Sequence, residues 1–229
     1  MAIIHRTTMS PGKLELLAGW LPSRPWYQGS AGSVPQLAKA GGFRLDDPEG
    51  EVGIEIMVVT DACGDAPVAY QVPVTYRGAP LEGAQEGLIG TSEHGVLGRR
   101  WIYDGAHDPV LPAQLLALIT GRAAAQDQNA SEVPDPTVEV RREDAGVLPG
   151  LTGPGTVTDT AAATVVALRP AGAESRALDL ALTRALRPGP AAGDGILGQV
   201  LAPWSLPDGA LRHGAFAVLR DPARAVSAP

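Results

Sequence analysis

Residues Val68–Tyr76 constrain the fold of this chain more than any other stretch. Apolar side chains alternate there with small or polar ones, which is the two-residue period of a strand with one buried face. The apolar set is Val68, Tyr70, Val72, Val74 and Tyr76, and the alternating set is Ala69, Gln71, Pro73 and Thr75. The pattern therefore predicts a strand packed against a core.

Further strands are predicted on both sides of this stretch. The run from Val52 to Thr60 has apolar residues on one face, and the turn-forming residues 61–67 connect it to Val68–Tyr76 as an antiparallel hairpin. The remaining predicted strands of this half are Ala2–Thr7 at an edge, Phe43–Asp47 and Gly98–Asp104. The first half should thus contain a curved antiparallel sheet.

Two helices are predicted to pack on this sheet. Ser10 is placed to cap a helix that begins at Pro11, where a missing N–H costs nothing, and Pro22 should stop it. The second helix, Pro109–Leu118, has leucines near one face. Residues 29–42 are predicted as a loop with one short helical turn. These elements predict an α+β fold.

The second half of the chain is predicted to be β-rich. We expect a first domain at 1–124, a linker at 125–155 with polar, proline-bearing composition, and a region at 156–229. That region is either a small second domain or extra strands of the first sheet. Its apolar runs are Thr156–Leu168, Ala177–Leu186, Ile196–Trp204 and Ala215–Arg220, of which Ala177–Leu186 is the most compatible with a helix. Residues 221–229 are predicted to be disordered.

Polar side chains gather where the predicted strand Gly98–Asp104 meets the second helix. The candidate binding residues there are Arg99, Arg100, Trp101, Asp104, His107 and Asp108. Neighbouring Asp and His residues could serve as acid and base or bind a ligand hydroxyl. In the competing interpretation, Asp108 is the N-cap of the helix and His107 packs at the turn. No catalytic residue set is predicted.

Trp20 and Trp26 lie on either side of the stop at Pro22. One interpretation is that both indoles pack beneath the sheet. The other is that they form an aromatic platform for a sugar or a protein partner, since an indole combines a large apolar face with a polar N–H.

Several of these segments carry a family resemblance. The segments Trp20–Tyr27, Tyr70–Arg77, residues 87–90 and Trp101–Ile119, in that order, resemble the N-terminal cap domain of maltokinases and related actinobacterial sugar kinases. The resemblance covers roughly residues 14 to 120. It departs from the family at Pro25, where the family usually has an arginine. The resemblance implies a place in maltose, trehalose or α-glucan metabolism.

The phosphotransfer lobes that follow the cap in those kinases are not recognisable in this sequence. Phosphoryl transfer needs a glycine-rich loop, a strand lysine and a catalytic-loop Asp followed by Asn. The only lysines are Lys13 and Lys39, and His107-Asp108 is followed by no such Asn. The leading hypothesis is a non-catalytic cap-like protein that binds a partner or a sugar. The alternatives are a cap subunit that completes a separately encoded sugar kinase in trans, and a small sugar-acting enzyme that uses His107 with Asp104 or Asp108.

Composition excludes several other classes. The net charge of -7, without a basic run, argues against a nucleic-acid partner. No apolar run reaches the ~20 residues that a membrane helix needs, so a cytoplasmic protein without membrane contact is expected. Cys63 is the only cysteine, which excludes an intrachain disulfide. The histidines lie far apart, so neither a metal site nor a cofactor is predicted.

Overall fold

The computed structural model of the chain describes residues 8–29, 32–64, 66–143, 151–170 and 177–225. These residues form an antiparallel sheet of twelve strands. The strands are Met9–Ser10 (β1), Leu37–Leu45 (β2), Gly53–Asp61 (β3), Val68–Arg77 (β4), Leu88–His94 (β5), Gly98–Asp104 (β6), Glu139–Arg142 (β7), Leu151–Asp159 (β8), Ala163–Pro170 (β9), Leu178–Thr183 (β10), Ile196–Ser205 (β11) and Leu211–Arg220 (β12).

The helices are short and few. They are Lys13–Trp20 (α1), Val110–Ile119 (α2) and Pro222–Ala225 (α3), with 3₁₀ turns at Leu21–Ser23, Gln85–Gly87 and Gly105–His107. Of the described residues, 46% are in strands and 15% in helices, so the predicted α+β fold is confirmed only in part, and this part of the chain is mostly antiparallel sheet.

The sheet runs in the order β1-β5-β6-β4-β3-β2-β11-β12-β10-β9-β8, with β7 beside β11. The predicted hairpin is confirmed, because β3 pairs with β4 in continuous register from Gly53↔Tyr76 to Asp61↔Val68. The predicted strand at residues 98–104 is also confirmed as β6, which pairs with β4.

Six of these strands form a closed circuit. The N–H of Gln71 in β4 donates to the carbonyl of Arg184 at 2.9 Å, and the N–H of Leu186 donates to the carbonyl of Ala69 at 2.8 Å. The segment that follows β10 therefore pairs with β4. On the other side, β2 meets β11 at the single pair Trp204↔Gly41. The path β4-β3-β2-β11-β12-β10 thus returns to β4.

The two larger apolar clusters of the described residues lie on opposite faces of β3 and β4. Ile54, Ile56 and Val58 contact the cluster that includes α2 and the late strands. Met57 and Val59 contact the cluster that includes α1, Trp20 and Trp26. Because both faces of β3 are covered, its residues read as a nearly continuous buried run rather than a simple alternation.

The start of α1 corrects the sequence prediction. Ser10 does not cap the helix, since it lies in β1 and pairs with Glu93 of β5. The helix begins two residues after Pro11, and Gly12 occupies the N-cap position. The side chain of Glu15 in the first turn accepts the Gly12 N–H at 3.3 Å, which stabilises the helix start.

Other predictions also need correction. Residues 177–186, the late run most compatible with a helix, contain the strand β10, as a β-rich second half predicts, because Leu178, Leu180 and Leu182 alternate into the core. The described part of residues 29–42 has no helical turn, and β2 begins at Leu37. Disorder was expected from residue 221, but Asp221 is buried and α3 follows it. Residues 1–7, with the predicted Ala2–Thr7 strand, and residues 226–229 lie outside the described residues.

The segment predicted as a linker contains ordered strands. β7 lies within it and pairs with β11 from Gly198↔Arg142 to Leu201↔Glu139, and β8 begins inside it. Strands from both halves of the chain belong to the same sheet. The division at 1–124, 125–155 and 156–229 stays a prediction.

Two glycines with positive φ provide a matched test of this architecture. Gly42 in β2 has φ +125°, and a Cβ there would lie 2.0 Å from the Ile56 carbonyl oxygen, whereas Gly83 has φ +78° and open space. Both alanine variants strain the backbone, but only Gly42→Ala forces β2 away from β3. We expect Gly42→Ala to lower the free energy of unfolding by more than about 3 kcal/mol and Gly83→Ala by about 1 kcal/mol, measured by urea denaturation. Equal losses would contradict the close approach of β2 and β3.

Candidate functional site

The predicted polar cluster is divided between the core and the surface. Asp104 and Asp108 are buried, Arg99 is exposed, and Trp101 and His107 are half-buried. Side chains also alternate between the two faces of β6. Arg99 and Trp101, which pair with Glu93 and Thr91 of β5, lie on one face, and Arg100, which pairs with Ser92, lies on the other. The six residues therefore do not converge on one ligand-sized site.

Asp108 is held by an arginine and by the start of α2. Its two carboxylate oxygens accept hydrogen bonds from Nε and Nη2 of Arg77, each at 2.7 Å. Oδ1 also accepts the Val110 N–H at 3.1 Å, so Asp108 binds the start of α2, although the residue at the N-cap position is Pro109. The hydrogen bond from Arg77 to Asp108 raises the pKa of the guanidinium. Both oxygens of Asp108 are thus engaged inside the protein.

Asp104 forms a buried ion pair with Arg184, which the sequence analysis missed. Nη2 of Arg184 donates to Asp104 Oδ2 at 2.6 Å, and its Nε donates to Thr164 Oγ1 at 2.6 Å. The guanidinium lies over the Trp26 ring, 4.9 Å from its centroid. A signal was present in the sequence: Arg184 continues the alternation of Leu178, Leu180 and Leu182, and an arginine at a buried position needs a carboxylate partner.

This ion pair lies where two strands meet along one edge of β4. β6 pairs with that edge over Val74–Arg77, and the segment after β10 pairs with it at 69–71. Asp104 is the last residue of β6, and Arg184 directly follows β10. In a strand, the backbone N–H groups of every second residue point to the same edge. The Gln71 N–H points to the edge shared with Arg184. Residue 73 therefore faces the same edge, in the gap between the segment after β10 and β6. That position is Pro73, which has no N–H to leave unpaired.

Trp20 and Trp26 pack against each other with ring centroids 5.8 Å apart, and both are buried. Trp26 also contacts Tyr70 of β4, at 5.9 Å between centroids. The contacts favour the packing interpretation, because neither indole presents an open face to solvent. A binding role for these two residues stays a prediction.

The surface part of the cluster belongs to the β5–β6 hairpin. Arg99 Nε lies 2.7 Å from Glu93 Oε1, and both side chains are exposed. Nη2 of Arg100 donates to the carbonyl of Leu97 at 2.6 Å. His107 packs closely on Gly87, where a Cβ would lie 2.4 Å from His107 Cβ. Only Arg99, Trp101 and part of His107 therefore remain available to a ligand.

A second charged group, Glu55, was not predicted as part of any site. This buried carboxylate of β3 forms an ion pair with Lys13 at the start of α1, accepts the Tyr76 hydroxyl at 2.8 Å, and lies 3.9 Å from Lys39 Nζ. Burial pushes the pKa of Glu55 upward, but the charge and hydrogen bond of Lys13, with the bond from Tyr76, outweigh it and hold the pKa below its ordinary value.

A third polar group joins the segment after α1 to the end of β3. Asp61 accepts hydrogen bonds from the Tyr27 hydroxyl at 2.7 Å, the Gln36 N–H at 2.8 Å and the Cys63 thiol at 3.2 Å. Burial, and next the hydrogen bond to Asp61, raise the pKa of Tyr27. Cys63 lies in the turn between β3 and β4, as predicted. These contacts account for the group as a structural element.

Neither a metal centre nor a membrane-spanning helix is found in the described parts of the chain. There, His, Cys, Asp and Glu side chains do not come together in threes that could hold a metal ion. No helix among those residues combines the length and the apolar character that crossing a bilayer requires.

The Arg184–Asp104 pair predicts a large difference between two arginine substitutions. Arg184→Met leaves a buried carboxylate without its cation, so we expect a loss of about 3–5 kcal/mol in the free energy of unfolding. Arg99→Met breaks an exposed pair and should cost under about 1 kcal/mol. Urea denaturation of both variants tests this prediction. If Arg184→Met lowers the free energy of unfolding as little as Arg99→Met does, the Arg184–Asp104 pair contributes little to stability.

Glu55 predicts how stability responds to acid. Because its folded pKa lies below the ordinary value of 4.5, its contribution is complete above that value and is lost as pH falls through the folded pKa. Glu55→Gln should therefore flatten the dependence of unfolding free energy on pH in that acidic range. Tyr76→Phe, which removes one hydrogen bond, should flatten it less. Parallel curves for the wild type and Glu55→Gln would refute this assignment.

The described geometry can be set beside one known family. Residues 20–108 match the family model of the maltokinase N-terminal cap domain. The matched segment begins at the end of α1, contains β2 to β6, and ends at Asp108, just before α2. Over residues 20–108 the chain is thus similar to the maltokinase N-terminal cap domain, which confirms the resemblance carried by its sequence motifs.

Proposed function

We propose that this chain is a non-catalytic, cap-like protein that binds a protein partner in maltose, trehalose or α-glucan metabolism. The family match over residues 20–108 supports a maltose- or α-glucan-related context. The observation that carries the non-catalytic role is the engagement of both candidate carboxylates, since Asp104 is paired with Arg184 and Asp108 with Arg77. A general acid or base needs a carboxyl group free to exchange a proton with the substrate.

The surface that best suits a partner is the exposed side of the β5–β6 hairpin. We define this hairpin surface by Leu88, Val96, Leu97, Arg99 and Trp101. Val96 is 62% exposed, and Leu88 and Leu97 are exposed as well. The imidazole Nδ1 of His94 accepts the N–H groups of Val96 at 3.3 Å and Leu97 at 3.0 Å, so the turn holds both apolar side chains outward.

The composition of the hairpin surface favours a protein over a sugar. Aliphatic side chains together with Trp and Arg are typical of the central residues of protein interfaces. The predicted aromatic platform for a sugar would need open indole faces at Trp20 and Trp26, and both are buried, which leaves the half-buried Trp101 as the accessible indole. In the described residues, β1 pairs with β5 only at Glu93 and His94, so Leu88–Thr91 have no strand partner on that edge.

The alternatives predict different partners. A cap subunit that acts in trans would bind a sugar kinase that lacks its own cap, and this is a special case of the proposed function. A small enzyme that uses His107 would need Asp104 or Asp108 to leave its arginine, and a buried arginine left behind would be destabilising.

The hairpin surface can be tested with a matched pair of leucine variants. Leu97→Asp places a charge at the turn of the hairpin surface, whereas Leu211→Asp does so on β12, where Leu211 is 67% exposed. In a pulldown from the native host, we expect Leu97→Asp and Trp101→Ala to reduce recovery of a maltose- or glucan-metabolising enzyme by more than about tenfold, the effect of a central interface residue. Leu211→Asp should leave recovery unchanged.

Two results would contradict the proposal. One is equal recovery of such an enzyme by all variants, each shown by thermal unfolding to be folded. The other is the recovery of no such enzyme together with saturable binding of maltose, trehalose or a glucan to the isolated chain in calorimetry, which would support the sugar-binding alternative.

A further inference from the structure

We propose that the face of β2 and β3 that packs against α1 holds, beside the start of that helix, a phosphate-binding site formed by Lys13, Lys39 and Arg44 near the buried Glu55. The site lies apart from the hairpin surface and does not depend on the proposed function. Its ligand would be a phosphate group, either as inorganic phosphate or as a phosphomonoester.

The four side chains converge from three elements. Arg44 of β2 is directly opposite Glu55 of β3 in the antiparallel register, and such pairs lie on one face with Cβ atoms about 4.5–5.5 Å apart. Lys39, on the same strand as Arg44, places Nζ 3.9 Å from Glu55 Oε1. Lys13 reaches Glu55 from the first turn of α1. The only two lysines of the chain therefore meet at one carboxylate.

The charges of this group do not balance. Lys13 and the Tyr76 hydroxyl both bind Oε2 of Glu55, and the lowered pKa keeps this carboxylate ionised. Lys39 is beyond hydrogen-bond distance from Oε1. Within the described residues, the Arg44 guanidinium has neither an ion pair nor a hydrogen bond. Lys13 and Lys39 lie at the carboxylate, and Arg44 lies opposite Glu55 in the register, with its charge acting on the neighbouring Tyr76. Three cations near one carboxylate leave a local charge of about +2, although the whole chain carries -7.

The excess charge is accessible from solvent. The side chain of Lys13 is 36% exposed and that of Lys39 is 44% exposed, while the side chain of Glu55 is only 7% exposed. Both lysine side chains are thus partly accessible to solvent, although the Lys13 ammonium is bound to the carboxylate, which lies deeper. The N-terminus of α1 adds a weak positive field at the same place, although Glu15 already accepts one of its N–H groups.

A phosphate group matches this arrangement better than a carboxylate does. A phosphomonoester carries about -1.5 to -2 at neutral pH, close to the local excess, and has several acceptor oxygens. The Arg44 fork can donate to two of those oxygens, and each lysine supplies a mobile ammonium. A single carboxylate would leave about one positive charge without compensation.

The two lysines allow a direct measurement. Reductive ¹³C-methylation labels the two lysine ammonium groups, retains their positive charge and gives separate NMR signals for each lysine. The signals that disappear in the variant Lys39→Arg are those of Lys39, and the remaining ones are those of Lys13. Titration of the folded chain with inorganic phosphate, and separately with glycerol phosphate, at constant ionic strength should shift both lysine signals saturably. Tighter binding of glycerol phosphate would identify a phosphomonoester as the ligand, and equal binding would identify the phosphate group alone.

Substitutions separate this site from general electrostatic attraction. Arg44→Gln and Lys39→Gln should each weaken phosphate binding by about fivefold, the upper range for a half-exposed ion pair. Lys39→Arg should retain it. Arg212→Gln removes the same charge from an exposed position on β12 and should have no effect. An absence of saturable shifts, or equal affinity in Arg44→Gln, Lys39→Gln and Arg212→Gln, would overturn the proposal.

Discussion

The buried ion pair between Arg184 and Asp104 is the constraint on which the rest of the fold depends. It joins a residue at the end of β6 to one 80 positions later, just after β10, and both groups are withdrawn from water. A buried pair of this kind adds little net stability, but losing either partner is costly. Its main effect is therefore to fix where the two strands end along β4, with Pro73 facing the gap between them.

That constraint also determines which polar groups remain for function. Once Asp104 is bound to Arg184 and Asp108 to Arg77, the junction between β6 and α2 is structural. The Trp26 ring covers the Arg184 guanidinium and is therefore withdrawn from the surface. The chemistry that stays accessible lies on the β5–β6 hairpin, where Arg99 and Trp101 were predicted candidates, and around Glu55, which the spacing of polar residues in the sequence did not identify.

Local patterns predicted those parts of the fold that local contacts determine. The β3–β4 hairpin and α2 follow from alternation and from an Asp cap, and both are present. β5 was missed because Gly90 and the polar residues 91–94 interrupt its apolar pattern, and β10 resembles a helix because alanine and leucine dominate it. The Arg184–Asp104 and Lys13–Glu55 pairs connect distant segments, so no local pattern reveals them. Burial of both faces of β3 likewise depends on the late strands.

Native-state hydrogen exchange on the intact chain tests most directly whether the late strands and β4 form one cooperative unit. The critical amides are those of Gln71 and Leu186, which connect β4 to the segment after β10. The account predicts that both open with the same free energy as the core amides of β3, which is that of global unfolding. Exchange of these two amides at a much lower free energy, while β3 and β12 each stay protected, would show that the halves separate independently and would contradict the account.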